Sequence, residues 1–148
     1  MNLDYSDKGR LKVDMKSYID NMVEEFPYDI KEQSKSPWND KLFKVNESVN
    51  KLNEAKRAIF HTFVMKAMFL CKRARPDVEP VVSFLSTRTN KPDESDWVKL
   101  IRMLGFLKGT REDVISLEVD DSQTLRWYID AAFAVHPDMK VILDQCLH

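Results

Sequence analysis

At 148 residues the chain has the length of one domain, and its 43% hydrophobic and 10% aromatic residues can supply a core for it. The only glycines are Gly9, Gly105 and Gly109, too few for a loop that cradles nucleotide phosphates, which excludes Walker and Rossmann sites. Charged residues reach 32%, yet 23 Lys+Arg against 24 Asp+Glu give a net charge of -1, which excludes a general electrostatic nucleic-acid binder and leaves room only for a local basic stripe.

Met1-Asn2-Leu3-Asp4-Tyr5-Ser6 reads as a strand whose partner is missing, and Asp7-Lys8-Gly9 as a turn. Leu11 and Val13 then alternate with polar neighbours over Arg10 to Asp14, which predicts a hairpin arm. From Met15 the period changes. Tyr18, Ile19, Met22, Val23 and Phe26 form one helical face, with Asp14 as N-cap and Pro27 as the stop, a helix of about three turns. Tyr28 to Asn50 is a long loop in which Trp38, Leu42, Phe43 and Val45 are the apolar anchors.

Leu52 to Ala74 is the strongest helix. Ile59, Phe63, Ala67, Leu70 and Ala74 share one stripe, with Phe60, Val64, Met68 and Cys71 beside it, so broad an apolar face that it must be buried. Pro76-Asp77 breaks it, and Val78, Val81, Val82, Phe84 and Leu85 predict a short helix that tolerates Pro80 in its first turn. After the stop Lys91-Pro92-Asp93, a further helix carries Trp97, Leu100, Ile101, Leu104 and Leu107 on one face and is closed by Gly109. Asp93, Glu94 and Asp96 lie at its positive dipole end, Lys108 and Arg111 at its negative end.

Beyond Gly109, Val114, Ile115, Leu117 and Val119 lead through the turn Asp120-Asp121-Ser122 to Leu125, Trp127 and Ile129, which predicts a β-hairpin. Val141 to His148 is apolar and mixed, and leaves that hairpin without a third strand, a marginal arrangement in water. The expected fold is therefore mainly α (α+β), four helices and a long loop with a short β element at each end. Cys71 and Cys146 lie far from each other and from any pair of histidines, so a zinc site is not expected. Without a signal peptide or an apolar run of about 18 residues, the chain reads as non-membrane, cytoplasmic or nuclear, with both thiols reduced.

Four segments stand out together: Cys71-Lys72-Arg73-Ala74-Arg75-Pro76-Asp77-Val78; Asp96-Trp97 with Leu100; Leu107-Lys108-Gly109-Thr110-Arg111; and Trp127-Tyr128-Ile129-Asp130-Ala131-Ala132-Phe133-Ala134. In this order, over about half the chain, they resemble the pol polyprotein of copia-type LTR retrotransposons between the reverse-transcriptase palm and ribonuclease H. Leu3-Asp4-Tyr5-Ser6, Asp14-Met15 and Tyr18-Ile19 add a looser match at the front. The resemblance implies the end of the palm at 1–14, a helical thumb and connection region at 15–111, a hairpin with the first ribonuclease H strand at 112–140, and an unmatched tail at 141–148 that points to truncation or a frameshift. It further implies a parent that is an RNA-directed DNA polymerase with ribonuclease H and uses Mg²⁺. The Tyr-x-Asp-Asp hairpin of that polymerase is absent from these residues, since Asp120-Asp121 follows Val119. By the resemblance, Asp130 matches the first ribonuclease H carboxylate, a single ligand of an incomplete metal site, so no cofactor is expected in this chain.

Two-metal hydrolysis needs several converging carboxylates, which one aspartate does not provide. Read without the resemblance, Asp130 is a strand carboxylate near Arg126 or a turn residue, and His136, before Pro137-Asp138, is a loop histidine rather than a general base. His61 is expected to be a half-buried packing residue of the long helix, and Met15, Met22, Met65, Met68 and Met103 to be core fillers. Lys99, Arg102 and Lys108 lie off the apolar face of their helix, and Lys72, Arg73 and Arg75 cluster at the end of the long one. A thumb would use Lys72, Arg73, Lys99, Arg102 and Lys108 to hold the backbone of an RNA/DNA or DNA duplex weakly and without reading sequence; the plain alternative is a solvated helix face. Trp97 is expected in the core rather than as a base-stacking platform. Further expected partners are the missing palm and ribonuclease H portions, and the alternative reading is a domesticated helical interaction or nucleic-acid-binding module.

Overall fold

Gly9 adopts φ +76°, a left-handed conformation that glycine takes without strain. The turn it closes, in which the Arg10 amide donates to the Asp7 carbonyl at 3.0 Å, folds β1 (Asn2–Asp4) antiparallel onto β2 (Arg10–Asp14). This is a computed structural model that describes residues 1–30, 34–45, 48–118, 127–132 and 142–147, the last two stretches as backbone strands only. It is mainly helical: α1 (Lys16–Glu25), α2 (Glu54–Cys71), α3 (Glu79–Arg88) and α4 (Glu94–Gly109), with β3 (Ile115–Glu118), β4 (Trp127–Ala132) and β5 (Ile142–Leu147) after them.

The helix ends follow local chemistry. Met15 takes the N-cap position of α1, one residue later than expected, while the Asp14 carboxylate accepts the Lys16 amide at 2.6 Å. Phe26 ends the helix in an extended conformation because the following Pro27 disfavours helical geometry there. In α2 the Asn53 side chain accepts the Lys56 amide at 2.9 Å, which places the start after the buried Leu52. The helix ends at Cys71 rather than Ala74: the amides of Arg73, Ala74 and Arg75 converge on the Leu70 carbonyl at 3.2, 3.0 and 3.3 Å, tightening the chain ahead of Pro76. Pro76–Val78 form one 3₁₀ turn and α3 follows with Pro80 in its first turn.

α4 opens with a capping box: the Asp93 carboxylate accepts the Asp96 amide at 3.0 Å and the Asp96 carboxylate accepts the Asp93 amide at 3.2 Å. Gly109 does not terminate it from outside, as expected, but is its last residue; Thr110 closes the helix by donating its amide and hydroxyl to the Phe106 carbonyl at 3.0 and 2.9 Å. Backbone bonds from Leu52 to Pro92 (3.0 Å) and from Glu94 to Asn50 (3.1 Å) tie the starts of α2 and α4 together.

The core is one cluster. It joins Ile19 and Met22 of α1, Phe60, Val64 and Leu70 of α2, Val82 and Leu85 of α3, and Leu100, Met103, Leu104 and Leu107 of α4. Phe26 meets Phe63 edge-on at 4.9 Å and Trp97 at 5.7 Å, so Trp97 is a core residue as expected. Two residues of α2 depart from expectation: His61 is exposed instead of half-buried, and Met65 is 39% exposed instead of filling the core. Both fall on the outer side of α2, away from the buried Phe60, Phe63, Val64 and Ala67.

The strands pair differently from the expected hairpin. β3 lies on β2, with Leu11 opposite Leu117 and Val13 opposite Ile115, and β1-β2-β3 form one antiparallel sheet. β1 thus has its partner in β2. β4 pairs with β5, so Val141 to His148, expected to leave the sheet unclosed, contributes the strand that pairs with Trp127–Ala132. The physical reason is that alternation marks a strand but not its partner, and the β2–β3 match joins residues far apart in the chain. The expected turn Asp120-Asp121-Ser122, with Leu125, Arg126 and His136, lies outside the described residues.

Candidate nucleic-acid interface

The end of α2 presents Lys72 and Arg73, both exposed. Lys72 Nζ donates to Glu79 Oε1 at 2.5 Å, and Glu79 Oε2 accepts the Cys71 thiol at 3.2 Å. Burial, reinforced by that carboxylate, pushes the Cys71 thiol up to about 12, which keeps it protonated and unreactive at neutral pH. The Arg73 guanidinium lies 3.6 Å over the ring of Phe69 and donates to the Phe69 carbonyl at 3.2 Å; Phe69, itself 42% exposed, packs on Tyr18 at 5.3 Å. Arg73 over its exposed ring and the neighbouring exposed Lys72, which is paired with Glu79, can contact phosphate and sugar without reading a sequence.

Arg75 does not extend this surface, contrary to expectation. It is 3% exposed and forks onto Asp77, Nε to Oδ1 at 3.0 Å and Nη2 to Oδ2 at 2.7 Å. The same guanidinium reaches the end of α4, where Nη1 donates to the Thr110 carbonyl at 2.9 Å and Nη2 to the Thr110 hydroxyl at 2.7 Å. The helix has ended at Cys71 and the chain tightens onto the Leu70 carbonyl ahead of Pro76, so the arginine becomes a fastener between α4 and the α2–α3 turn.

The basic residues of α4 are also partly engaged. Lys99 Nζ donates to the Lys44 carbonyl at 2.9 Å, pairs with Asp96 at 3.5 Å and stands 4.5 Å over the Phe84 ring; burial pulls its ammonium below the ordinary lysine range. Lys108 Nζ donates to the Ile30 carbonyl at 3.2 Å, pinning the loop after α1 to the end of α4. Arg102 is half-buried and lines, with Lys99, Asp29, Trp38 and Leu42, a cleft of about 370 Å³. The five candidate residues therefore sit in two places, Lys72 and Arg73 just past the end of α2 and Lys99, Arg102 and Lys108 along α4, and of these five only the first two are exposed.

Nearby acidic residues are likewise paired: Glu112 with Lys16 at 2.6 Å, Arg111 with Asp20 at 3.5 Å, and Glu118 with Arg10. Asp130 lies in β4 with Asp144 as its register partner, and the side chains of both lie outside the described residues. Among the described residues no group of three or more His, Cys, Asp or Glu side chains is placed to hold a metal ion.

The sequence reading did not identify the buried charge cluster at the start of α4. Arg88 Nε bonds Asp96 at 3.1 Å and Arg88 Nη2 reaches Asp93 at 3.4 Å, with both carboxylates about 1% exposed. The spacing of Asp93 and Asp96 before an apolar run was the available signal; the Arg88 partner follows only from the α3–α4 turn. Among the described residues no helix is long and apolar enough to cross a membrane. Comparison of the chain with protein-family models, curated proteins and solved structures finds no match.

Proposed function

We propose that the chain is the thumb and connection region of a copia-type pol polyprotein, whose parent is an RNA-directed DNA polymerase with ribonuclease H, and that by itself it carries neither complete active site. One observation supports this reading above the others. Arg75 and Asp77 belong to one of the segments that resemble that family and Thr110 to another, and Arg75 bonds both of the others. Residues matched independently in two separated segments thus share one structural task, as expected if the segments were inherited together. In this reading Lys72 and Arg73 touch the backbone of an RNA/DNA or DNA duplex, the palm and ribonuclease H portions are its other partners, and the cytoplasm or nucleus is its place. Mg²⁺ belongs to the parent; Asp130 alone does not make the two-ion site that such a parent needs.

The second reading, a helical interaction or nucleic-acid-binding module kept for its own surface, draws on the exposed Met65 and Phe69 of α2. A labelled RNA/DNA hybrid incubated with the purified chain and Mg²⁺ tests the first. The hybrid is expected to stay intact while its mobility shifts at low salt; cleavage that disappears in Asp130→Asn would overturn the inactive-segment reading.

A further inference from the structure

The cleft between α4 and residues 34–42 holds about 370 Å³, within the size range of small-molecule sites, roughly 300 to 1,000 Å³. Trp38, Leu42 and Ile101 give it apolar walls, and Arg102, Lys99 and Asp29 give it charge. The two cations differ in their circumstances. Lys99 has its carboxylate in Asp96 and its acceptor in the Lys44 carbonyl. Arg102 is half-buried, and among the described residues its covered Nε has no acceptor and no carboxylate pairs with it. A guanidinium with one covered donor and no anion beside it offers its head to an oxyanion, which forms charge-assisted hydrogen bonds there.

Charge selects the ligand further. Arg88 and Lys99 are together balanced by Asp93 and Asp96, so the cleft retains Arg102 against Asp29: one negative charge is matched by Arg102, and the second charge of a dianion would meet Asp29 with no cation left to offset it. The apolar walls, one of them an indole, favour a flat body. We propose that this cleft binds a flat aromatic monocarboxylate, the carboxylate at the Arg102 head and the ring against Trp38 and Ile101. The site is independent of the duplex-binding reading, which rests on Lys72 and Arg73.

Ligand-observed NMR titration of the full chain with 2-naphthoate, with the neutral analogue 2-naphthalenemethanol and with inorganic phosphate tests this. On the parent protein naphthoate is expected to bind at least about tenfold more tightly than the alcohol, the size of one charge-assisted hydrogen bond. Phosphate is expected not to displace it. In Arg102→Gln the preference for the acid disappears while the alcohol binds as before, and in Trp38→Leu both ligands weaken together. Equal affinity of the parent for acid and alcohol, binding of neither, displacement by phosphate, or a preference that survives Arg102→Gln would overturn the proposal. The comparison of acid with alcohol on the parent protein needs no variant to fold.

Discussion

Arg75 and Thr110, thirty-five positions apart, meet through two hydrogen bonds, one to the Thr110 carbonyl at 2.9 Å and one to its hydroxyl at 2.7 Å. The carbonyl is one of the orphan acceptors past the end of α4, and the guanidinium that satisfies it is fixed in turn by Asp77. A single side chain thus joins the turn after α2, the 3₁₀ turn ahead of α3 and the end of α4.

The members of this fastener are unequally buried, Arg75 at 3% and Asp77 at 42% exposure, and this predicts an asymmetry. Asp77→Ala leaves a guanidinium in the interior with only Thr110 as partner and is expected to cost about 2 to 3 kcal/mol. Arg75→Met leaves Asp77 hydrated and keeps most of the apolar volume, at a cost of about 1 kcal/mol. Urea midpoints of the two variants read the order directly. Equal losses, or a larger loss for Arg75→Met, would show that hydration of Asp77 does not decide the balance.

Leu70 and Leu104 are fully buried on α2 and α4. Truncating either to alanine is expected to lower stability by about 2 to 5 kcal/mol, through lost transfer energy and a cavity that rigid neighbours only partly close. Met65→Ala, on the exposed side of the same helix, is expected to change it by less than about 0.5 kcal/mol. Urea unfolding checks all three, and a small effect at Leu70 would mean that α2 does not bury this face.

Cys71 sets a pH dependence. Its folded-state thiol is pushed up to about 12, chiefly by burial, whereas an unfolded thiol ionises near roughly 8.5. The sign follows: the contribution to stability is complete below about pH 8.5, and is lost as pH rises toward about 12, because the unfolded chain releases a proton that the folded one keeps. Between pH 7 and pH 10 the parent is expected to lose roughly 2 kcal/mol more than Cys71→Ala. Parallel losses in the two proteins would assign the alkaline sensitivity to other groups.

Helices and core were largely legible in the sequence because their signals are local. The Ile19/Met22 face, the Pro27 stop and the acidic entry of α4 each act within a turn of where they are read, while the long helix ends three residues before the expected Ala74. Strand pairing was not legible, since Leu11 meets Leu117 through the fold and not through a turn. The candidate site was half legible. Lys72 and Arg73 are exposed at the end of the long helix, where they were read. Arg75 moves inside because the helix has already ended at Cys71 and the chain tightens onto the Leu70 carbonyl, and Lys99 and Lys108 are drawn onto the carbonyls of Lys44 and Ile30 in a loop that carries no periodic signal. Arg88 shows the same limit, since its carboxylate partners lie across the turn that follows α3.

The duplex-binding claim has its most direct test in the salt dependence of affinity, measured by fluorescence anisotropy with a labelled RNA/DNA hybrid over roughly 20 to 150 mM salt. Lys72 and Arg73 supply about two phosphate contacts, so log K against log salt should have a slope near -2, independent of duplex sequence, with binding lost toward physiological salt. Lys72→Ala and Arg73→Ala should each flatten the slope by about 1, whereas Lys108→Ala, whose ammonium holds the Ile30 carbonyl, should lower stability and leave the slope unchanged. A slope near zero, a strong preference for one sequence, or no change in the Lys72→Ala and Arg73→Ala variants would contradict the account.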